Sequence, residues 1–244
     1  MAGKHDQIAG SLIKDILAGR YRVTERLPSE RDLAARFDAN RGAVREAMKK
    51  LEQIGLADVQ PGGARVRDQG EASLDVIGHM LAQGDLPDAV LVAQIMDVID
   101  NLVSDAAEQC MVRASDAELA TIRQHTRRLV EEDLDPEAHT LARFELMHAI
   151  MLTSQNLPLR LIARTLINQM APNLTPLHPF ARFDSTAYRV VAQRLELAFA
   201  HRDSEALRGI FKEFSQLNRD TLTRAFDAAR DAVRNASHQE AVSQ

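Results

Sequence analysis

The chain has 244 residues, of which 45% are hydrophobic and 27% are charged, and its formal net charge is −5. This length allows two modest domains, and the negative balance excludes a polycation that coats nucleic acid along its whole length. One cysteine excludes an internal disulfide. The longest apolar stretch, residues 89–99, is too short to span a membrane. No secretory signal is visible, so we expect a cytoplasmic protein without membrane contact.

Charge is distributed unevenly along the chain. Residues 1–70 carry 13 Lys/Arg and 10 Asp/Glu, whereas the remainder carries 17 and 25. A mildly basic first part beside an acidic remainder favours DNA binding by one end only. Alanine, leucine and arginine dominate and there are only 11 glycines, which predicts a mainly α-helical protein.

A short helix is predicted first. Pro28 suits a first helical turn, and Ser29 can cap backbone N–H groups there. Leu33 and Phe37 lie at helical spacing on one apolar face. Asp38 is a turn former that ends this helix.

A second helix follows at once, with Asn40 as its predicted N-cap and Gly55 as its predicted C-cap. Its buried stripe is predicted to consist of Val44, Ala47, Met48 and Leu51. Basic residues recur every four positions on another face, and these are Arg41, Arg45 and Lys49. Such a face is often only solvated, and a surface salt bridge is the alternative role for each arginine.

Two short strands, 56–59 and 64–67, are predicted to pair as a hairpin around Pro61-Gly62-Gly63. Helix, turn, helix and hairpin in this order are typical of a winged helix-turn-helix, which places its second helix in a DNA major groove. We expect Arg41 to contact guanine bidentately, while Arg31 and Arg45 hold phosphates.

Residues 8–67 resemble the winged helix of the GntR family of bacterial transcription regulators. The resemblance is carried by residues 27–31 (LPSER), residues 44–47 (VREA) and the Gly-Leu pair before the hairpin. It implies DNA contacts from Arg31, Asn40, Arg41, Gly42, Ala43, Arg45, Gly62 and Gly63. The hydroxyl residues that the family often carries before and within its second helix are mostly missing here. Gly42 can instead let the backbone approach the duplex, and Asn40 can donate to a phosphate or a base edge.

The rest of the chain is predicted to be helical throughout. We expect a DNA-binding domain at 1–68, a linker at 69–71, an all-α bundle of six or seven helices at 72–235 and a disordered tail at 236–244. The predicted helices are 72–82, 86–112, 116–132, 136–153, 158–170, 185–201 and 204–235.

This bundle resembles the ligand-sensing domain of the FadR subfamily, through residues 144–148 (FELMH), 154–158 (SQNLP) and 203–207 (DSEAL). The positions that hold a metal in many members carry Arg143, Met147, Ala192 and Phe214 here, so we expect neither a metal nor a cofactor. Ile99 stands where the acyl-coenzyme-A-responsive branch has an arginine.

These five residues are the predicted effector pocket, and their mostly apolar character favours a fatty-acid or acyl-coenzyme-A-like molecule. A filled core without ligand stays an alternative, as does a small organic acid. The resemblance also implies a homodimer on a pseudo-palindromic operator, and we expect a repressor. A helical protein-interaction module is the rival function. An enzyme is not expected, since no phosphate-binding glycine loop or nucleophile elbow is present.

Overall fold

A computed structural model describes residues 3–60, 63–131 and 134–242. It divides the chain into two compact units, Met1–Asp88 and Ala89–Gln244. Ten α-helices and one two-stranded hairpin lie in the described ranges, which confirms the predicted mainly α fold class. No helix in that part of the chain is both long enough and apolar enough to cross a lipid bilayer.

The first unit contains the predicted helix-turn-helix and hairpin. Its elements are α1 (Lys4–Leu17), α2 (Glu30–Arg36), α3 (Arg41–Gln53), β1 (Ala57–Gln60), β2 (Gly63–Val66) and α4 (Val76–Leu81). Helix α1 carries Ile8, Leu12 and Ile16 at four-residue spacing, and all three are buried. They form one core with the buried stripe of α3, so α1 supports the second helix of the motif from behind.

The helix ends follow local side-chain chemistry. Ser29 Oγ accepts a hydrogen bond from the N–H of Asp32 at 3.3 Å, and Asn40 Oδ1 accepts one from Ala43 at 2.8 Å, as the sequence predicts. Pro28 precedes the N-cap instead of lying in the first turn, because Ser29 itself has an extended backbone. Gly55 follows α3 with φ +80°, a conformation that glycine adopts without strain.

The hairpin is antiparallel, with Ala57 opposite Val66 and Gln60 opposite Gly63. Both strands are shifted by one residue from the predicted bounds. The loop between α1 and α2 pairs with the other edge of β2. There the N–H of Thr24 donates to Val66 O at 2.8 Å, and the N–H of Leu27 donates to Ala64 O at 2.9 Å. Strand β2 is therefore held from both sides.

The segment predicted as a linker is a short 3-10 helix, Gln69–Glu71, within the first unit. Asp68 accepts a hydrogen bond from the N–H of Gly70 at 2.7 Å and so caps it. Val76 of α4 belongs to the same apolar core as α1 and α3. Because this side chain is buried there, the compact unit continues past the predicted boundary. The domain limits at 68 and 72 stay a prediction.

A buried carboxylate joins α1 to α2. Asp15 accepts hydrogen bonds from Arg20 at 2.8 Å and from Arg36 at 2.7 Å, and its side chain is 6% exposed. We expect Asp15→Asn to lower the free energy of unfolding by about 1–2 kcal/mol, because charge-assisted bonds are lost while both arginines stay partly solvated. Thermal unfolding checks this, with Asp58→Asn on the exposed side of β1 as the control. Equal losses in the two variants would contradict the assignment.

The second unit consists of long helices. These are α5 (Ala89–Arg113), α6 (Asp116–Glu131), α7 (Pro136–Thr153), α8 (Leu157–Met170), a 3-10 helix (Ala171–Phe180), α9 (Ser185–His201) and α10 (Ser204–Val242). Helices α7 and α9 have the predicted bounds. Helix α10 runs on to Val242, beyond the predicted start of a disordered tail. It packs on α5, α9 and the 3-10 helix, while α6 packs on α7 and α9.

Candidate DNA interface and effector cavity

Helix α3 has one buried and one exposed side. Val44, Ala47 and Leu51 are completely buried. The side chains of Arg41, Arg45 and Lys49 are exposed on the opposite side, as the four-residue spacing predicts. The helix is therefore held by its apolar stripe, and its basic side faces solvent.

The start of α3 is shaped by its cap. Asn40 uses Oδ1 to hold the N–H of Ala43, so its amide Nδ2 is the part of the side chain left for an external partner. Arg41 and Gly42 are exposed and Ala43 is half-buried. A Cβ on Gly42 would lie 3.2 Å from Asn40 Oδ1, which is a tight contact, so glycine at this position fits the cap.

Most of the basic side of α3 is paired with acids. Arg45 Nε donates to both carboxylate oxygens of Glu30 on α2, at 3.0 and 2.9 Å. Lys49 pairs with Glu46 at 2.8 Å. These partners are well exposed, and surface pairs of this kind contribute little free energy, so phosphates can replace the acids. Arg41 has no ion pair or hydrogen bond to any residue in the three described ranges.

Arg31 lies on α2 with 81% of its side chain exposed, and its Nε is 3.6 Å from the carboxylate of Asp32. Its guanidinium is therefore accessible. Together, Arg31, Arg41 and Arg45 place three guanidinium groups on the two helices of the motif. This arrangement suits a phosphate-rich partner.

The end of the hairpin is built around Gly63, which has φ +142°. A Cβ there would lie 2.8 Å from Nε of Arg26, so that flexible side chain would have to shift, and the positive φ favours glycine independently of the space. Arg65 is exposed on β2 and donates to Thr24 O at 2.9 Å. Neither Arg26 nor Arg65 is among the predicted DNA contacts. The alternation with the buried neighbours Ala64 and Val66 nevertheless predicts that residue 65 points outward. The other predicted contact, Gly62, lies outside the described residues.

The second unit contains a cavity of about 210 Å³. Four of the five predicted pocket residues line it, namely Ile99, Arg143, Met147 and Phe214. Ala192 is completely buried in α9 and is not on the wall. Most of the wall is apolar, with methionine, leucine, isoleucine and phenylalanine side chains from α5, α7, α8, α10 and the 3-10 helix. The fold therefore brings four of the five predicted pocket residues together on the wall of one cavity.

Besides the predicted Arg143, the cavity has polar groups that were not predicted from the sequence. They are Asp100, Thr140, His178, Ser215, Asn218 and Thr221. Arg143 Nη1 donates to Tyr188 Oη at 2.9 Å and to Asn218 Oδ1, and Tyr188 Oη donates to the same amide oxygen at 2.8 Å. The guanidinium carbon lies 5.0 Å from the centre of the Tyr188 ring. These contacts fix the orientation of the guanidinium.

Asp100 is the acidic group on this wall. Burial raises the pKa of this carboxyl to about 6, and this effect outweighs the opposing influence of a hydrogen bond with Ser215 and of the Arg219 and Arg143 charges. Its Oδ2 is buried without a hydrogen-bond partner in the described part of the chain, and Arg219 Nη1 lies 3.8 Å away. The carboxyl therefore takes up its proton at a higher pH than an exposed aspartate does.

No group of three or more His, Cys, Asp or Glu side chains within the described ranges could hold a metal ion. Arg143 brings a positive charge to the wall of the cavity. A metal-free site stays a prediction.

Comparison with known proteins relates the first unit to a family. Residues 4–66 match the family described as "Bacterial regulatory proteins, gntR family". The chain is 33% identical over 141 residues to the HTH-type transcriptional regulator Mce2R of Mycobacterium tuberculosis, covering 56% of this chain and 58% of that protein. It is 31% identical over 125 residues to the Uxu operon transcriptional regulator of Escherichia coli K12, covering 48% and 45%. The chain thus spans little more than half the length of Mce2R.

The fold is similar along most of the chain to a solved structure of Lar, described as controlling expression of the Listeria monocytogenes agr system. The TM-score is 0.55 at 17% identity, over 93% of this chain and 98% of that chain. At this identity the likeness shows the fold alone. The matched family and the named relatives are regulators and not enzymes, in agreement with the sequence prediction.

Proposed function

We propose that this chain, whose residues 4–66 belong to the gntR family of bacterial regulatory proteins, is a DNA-binding transcription regulator of the cytoplasm. The observation that carries the proposal is helix α3, which is anchored by a fully buried stripe and presents exposed Arg41 and Arg45 on the other side. A helix of this kind, preceded by a tight turn and followed by a hairpin, fits the major groove.

Each DNA contact has a proposed role. Arg41 reads a guanine through its guanidinium fork, and Asn40, Gly42 and Ala43 bring the start of α3 against the duplex. Arg31 and Arg45 hold phosphates and set the register. Gly62 and Gly63 contact the backbone or the minor groove from the hairpin. The exposure of Arg31 on α2, of the α3 N-cap Asn40, and of Arg41 and Arg45 on α3 supports this assignment.

The proposal includes a homodimer that represses transcription from a pseudo-palindromic operator, with half-sites spaced by the dimer geometry. We place the second unit in the FadR subfamily on the basis of its helical layout and of residues 144–148 and 154–158. The relatives matched over about half of the chain include Mce2R and the Uxu operon regulator. Both proteins are transcriptional regulators by name, which supports a role in transcription.

The cavity of the second unit supports a hydrophobic effector of the fatty-acid or acyl-coenzyme-A kind. Its wall is mostly apolar, and its polar groups are few and convergent, which is the usual composition of a small-molecule site. An effector that binds one arrangement of the dimer better than another would shift operator affinity by that difference. A small organic acid, or no ligand, is the alternative outcome.

Salt dependence tests the DNA-binding proposal directly. Operator sequences are first selected from a random duplex pool, and binding is then measured by mobility shift between about 50 and 200 mM salt. A dimer that makes about 6–10 phosphate contacts should lose roughly three to five orders of magnitude in affinity across this range. Failure to enrich any duplex, or binding that ignores salt, would favour the rival function of a helical protein-interaction module.

A further inference from the structure

The Arg143 guanidinium is only partly satisfied by the protein. A guanidinium carries five N–H donors. Both donors of Nη1 have acceptors, on Tyr188 and Asn218. Nη2 makes only a long bond, 3.4 Å, to Thr140 Oγ1. Nε is buried and has no acceptor among the residues that the structure describes. The donors that remain, on Nε and Nη2, lie along one edge of the planar group.

We propose that the cavity binds the carboxylate of a small, mostly apolar monocarboxylic acid, held by the Nε and Nη2 edge of Arg143. This inference rests on the proposed ligand-sensing function of the second unit and names the ligand class for it. Two parallel N–H donors match the two oxygens of a carboxylate, and such paired bonds are among the strongest in proteins. A ligand oxygen would also remove the cost of a buried donor without an acceptor.

The apolar wall of the cavity favours a hydrocarbon chain for the part of the ligand beyond its carboxylate. The cavity measures about 210 Å³, which is far more than the roughly 10–15 Å³ that a single water molecule needs. Met147 and Phe214 on the wall suit a short hydrocarbon chain. Arg143 is the one arginine or lysine on the described wall. A single cation matches one carboxylate and does not match the several phosphate charges of coenzyme A.

Asp100 makes the site sensitive to protonation. As a carboxylate it would repel an anionic ligand in the same cavity, whereas its protonated form can donate a hydrogen bond. The groups that act on it are Ser215, Arg219, Asp97 and Arg143, and burial raises its pKa to about 6. Affinity for an acid should therefore rise as the pH falls through this value.

Calorimetric titration of the full chain with octanoate tests the proposal without DNA. Octan-1-ol has the same chain without the charge, and acetate has the charge without the chain. We expect octanoate to bind more tightly than either. Arg143→Met and Arg143→Lys should each weaken octanoate binding by about tenfold or more, since a methionine lacks the donors and a lysine lacks the fork. Arg164→Met, an exposed residue of α8 away from the cavity, is the matched control.

Asp100→Asn provides a test with the opposite sign. It should tighten octanoate binding at about pH 7.5 and reduce the difference between that pH and about pH 5. If Arg143→Met does not fold, the lysine and asparagine variants decide the outcome. Equal binding of octan-1-ol and octanoate, no binding of octanoate, or unchanged affinity in Arg143→Lys and Asp100→Asn would overturn the proposal. Because DNA is absent, these results are separate from the mobility shift that tests the regulator function.

Discussion

Replacing Arg41 by alanine is expected to lower operator affinity by about 1–3 kcal/mol and to relax selectivity at one base pair. Arg41 is the first residue of α3, is exposed, and has no protein partner within the described ranges. Its donors are therefore available to the O6 and N7 acceptors of a guanine. No bond within the protein has to break before this contact forms.

Arg45→Ala should behave differently. This side chain is paired with Glu30 in the absence of DNA, and we propose that it exchanges that acid for a phosphate. Affinity should then fall by a similar factor on operator and non-operator duplexes, and the slope of log affinity against log salt should change by about one. Arg41→Ala should change selectivity more than this slope.

Competition binding to the selected operator and to single-base variants separates the two effects. Arg194→Ala is a suitable control, since this arginine is exposed in α9 and pairs with Glu213 of the second unit. If Arg41→Ala weakened every duplex equally, the bidentate guanine contact would be ruled out. If neither α3 variant changed binding, the whole placement of α3 in the groove would be wrong.

The parts of the fold that could be predicted from sequence are those encoded by neighbouring residues. Helices α7 and α9 begin where predicted because Asp135 and Asp184 cap them, each accepting a backbone hydrogen bond from three residues ahead. Asn40 works in the same way at the start of α3. Helix α1 lacks such a signal, because its N-cap is Gly3 and the cap bond runs from the Gly3 N–H back to Asp6. For α1, only the helical spacing of its apolar residues indicates a helix.

The parts that were not predicted depend on distant residues. Gly70 and its polar neighbours indicate a local break before α4, whereas the burial of Val76 in the first core depends on residues far away in the sequence. In the cavity, Asp100, Arg143 and Ser215 lie on α5, α7 and α10, and nothing local indicates that they share a wall. The resemblance to the FadR subfamily predicts Arg143, Met147 and Phe214 in the pocket, because they occupy positions that hold a metal in many members. Asp100 and Ser215 carry no such signal, and only tertiary packing brings them to the same wall.

A buried histidine is expected to make the second unit sensitive to acid. His139 is 4% exposed and lies on α7, one turn before Arg143. Its ring stacks on Phe183 at 4.1 Å between centroids and meets Tyr188 edge-on at 4.9 Å. Neither ring nitrogen has a hydrogen-bond partner in the described part of the chain. Burial, helped by the Arg143 charge, lowers the pKa of His139 to about 4.

The lowered pKa of His139 determines how the stability of the folded protein changes with pH. In the unfolded chain a histidine binds a proton below about pH 6.5, whereas His139 in the folded protein stays neutral until about pH 4. Its contribution to stability is therefore fully present above pH 6.5 and is lost as the pH falls towards 4, by about 3 kcal/mol in total. Asp100 acts in the opposite direction, since its raised pKa favours the folded state below about pH 6. Acidification of the parent protein therefore changes its stability through two opposing contributions, a loss from His139 and a gain from Asp100.

His139→Phe should isolate the histidine contribution. Phenylalanine keeps the ring contacts and removes two buried polar atoms that lack partners, a gain of about 1–3 kcal/mol, which a slightly larger ring offsets by a similar amount. At neutral pH we therefore expect little net change. The difference in the free energy of unfolding between variant and parent should grow in favour of the variant as the pH falls from about 6.5 to 4, and Asp100 cancels from it. Thermal unfolding at intervals across this range measures it.

His148→Phe is the matched control, because this histidine lies on the same helix with its side chain exposed. A pH-dependent difference of the same size in both variants would contradict the assignment to the buried ring of His139. A constant difference for His139→Phe would mean that His139 takes up its proton in the folded protein as readily as in the unfolded chain. The aromatic cluster of His139, Phe183 and Tyr188 would then have to open to water without unfolding the bundle, a motion that faster amide hydrogen exchange along α7 at about pH 5 would reveal.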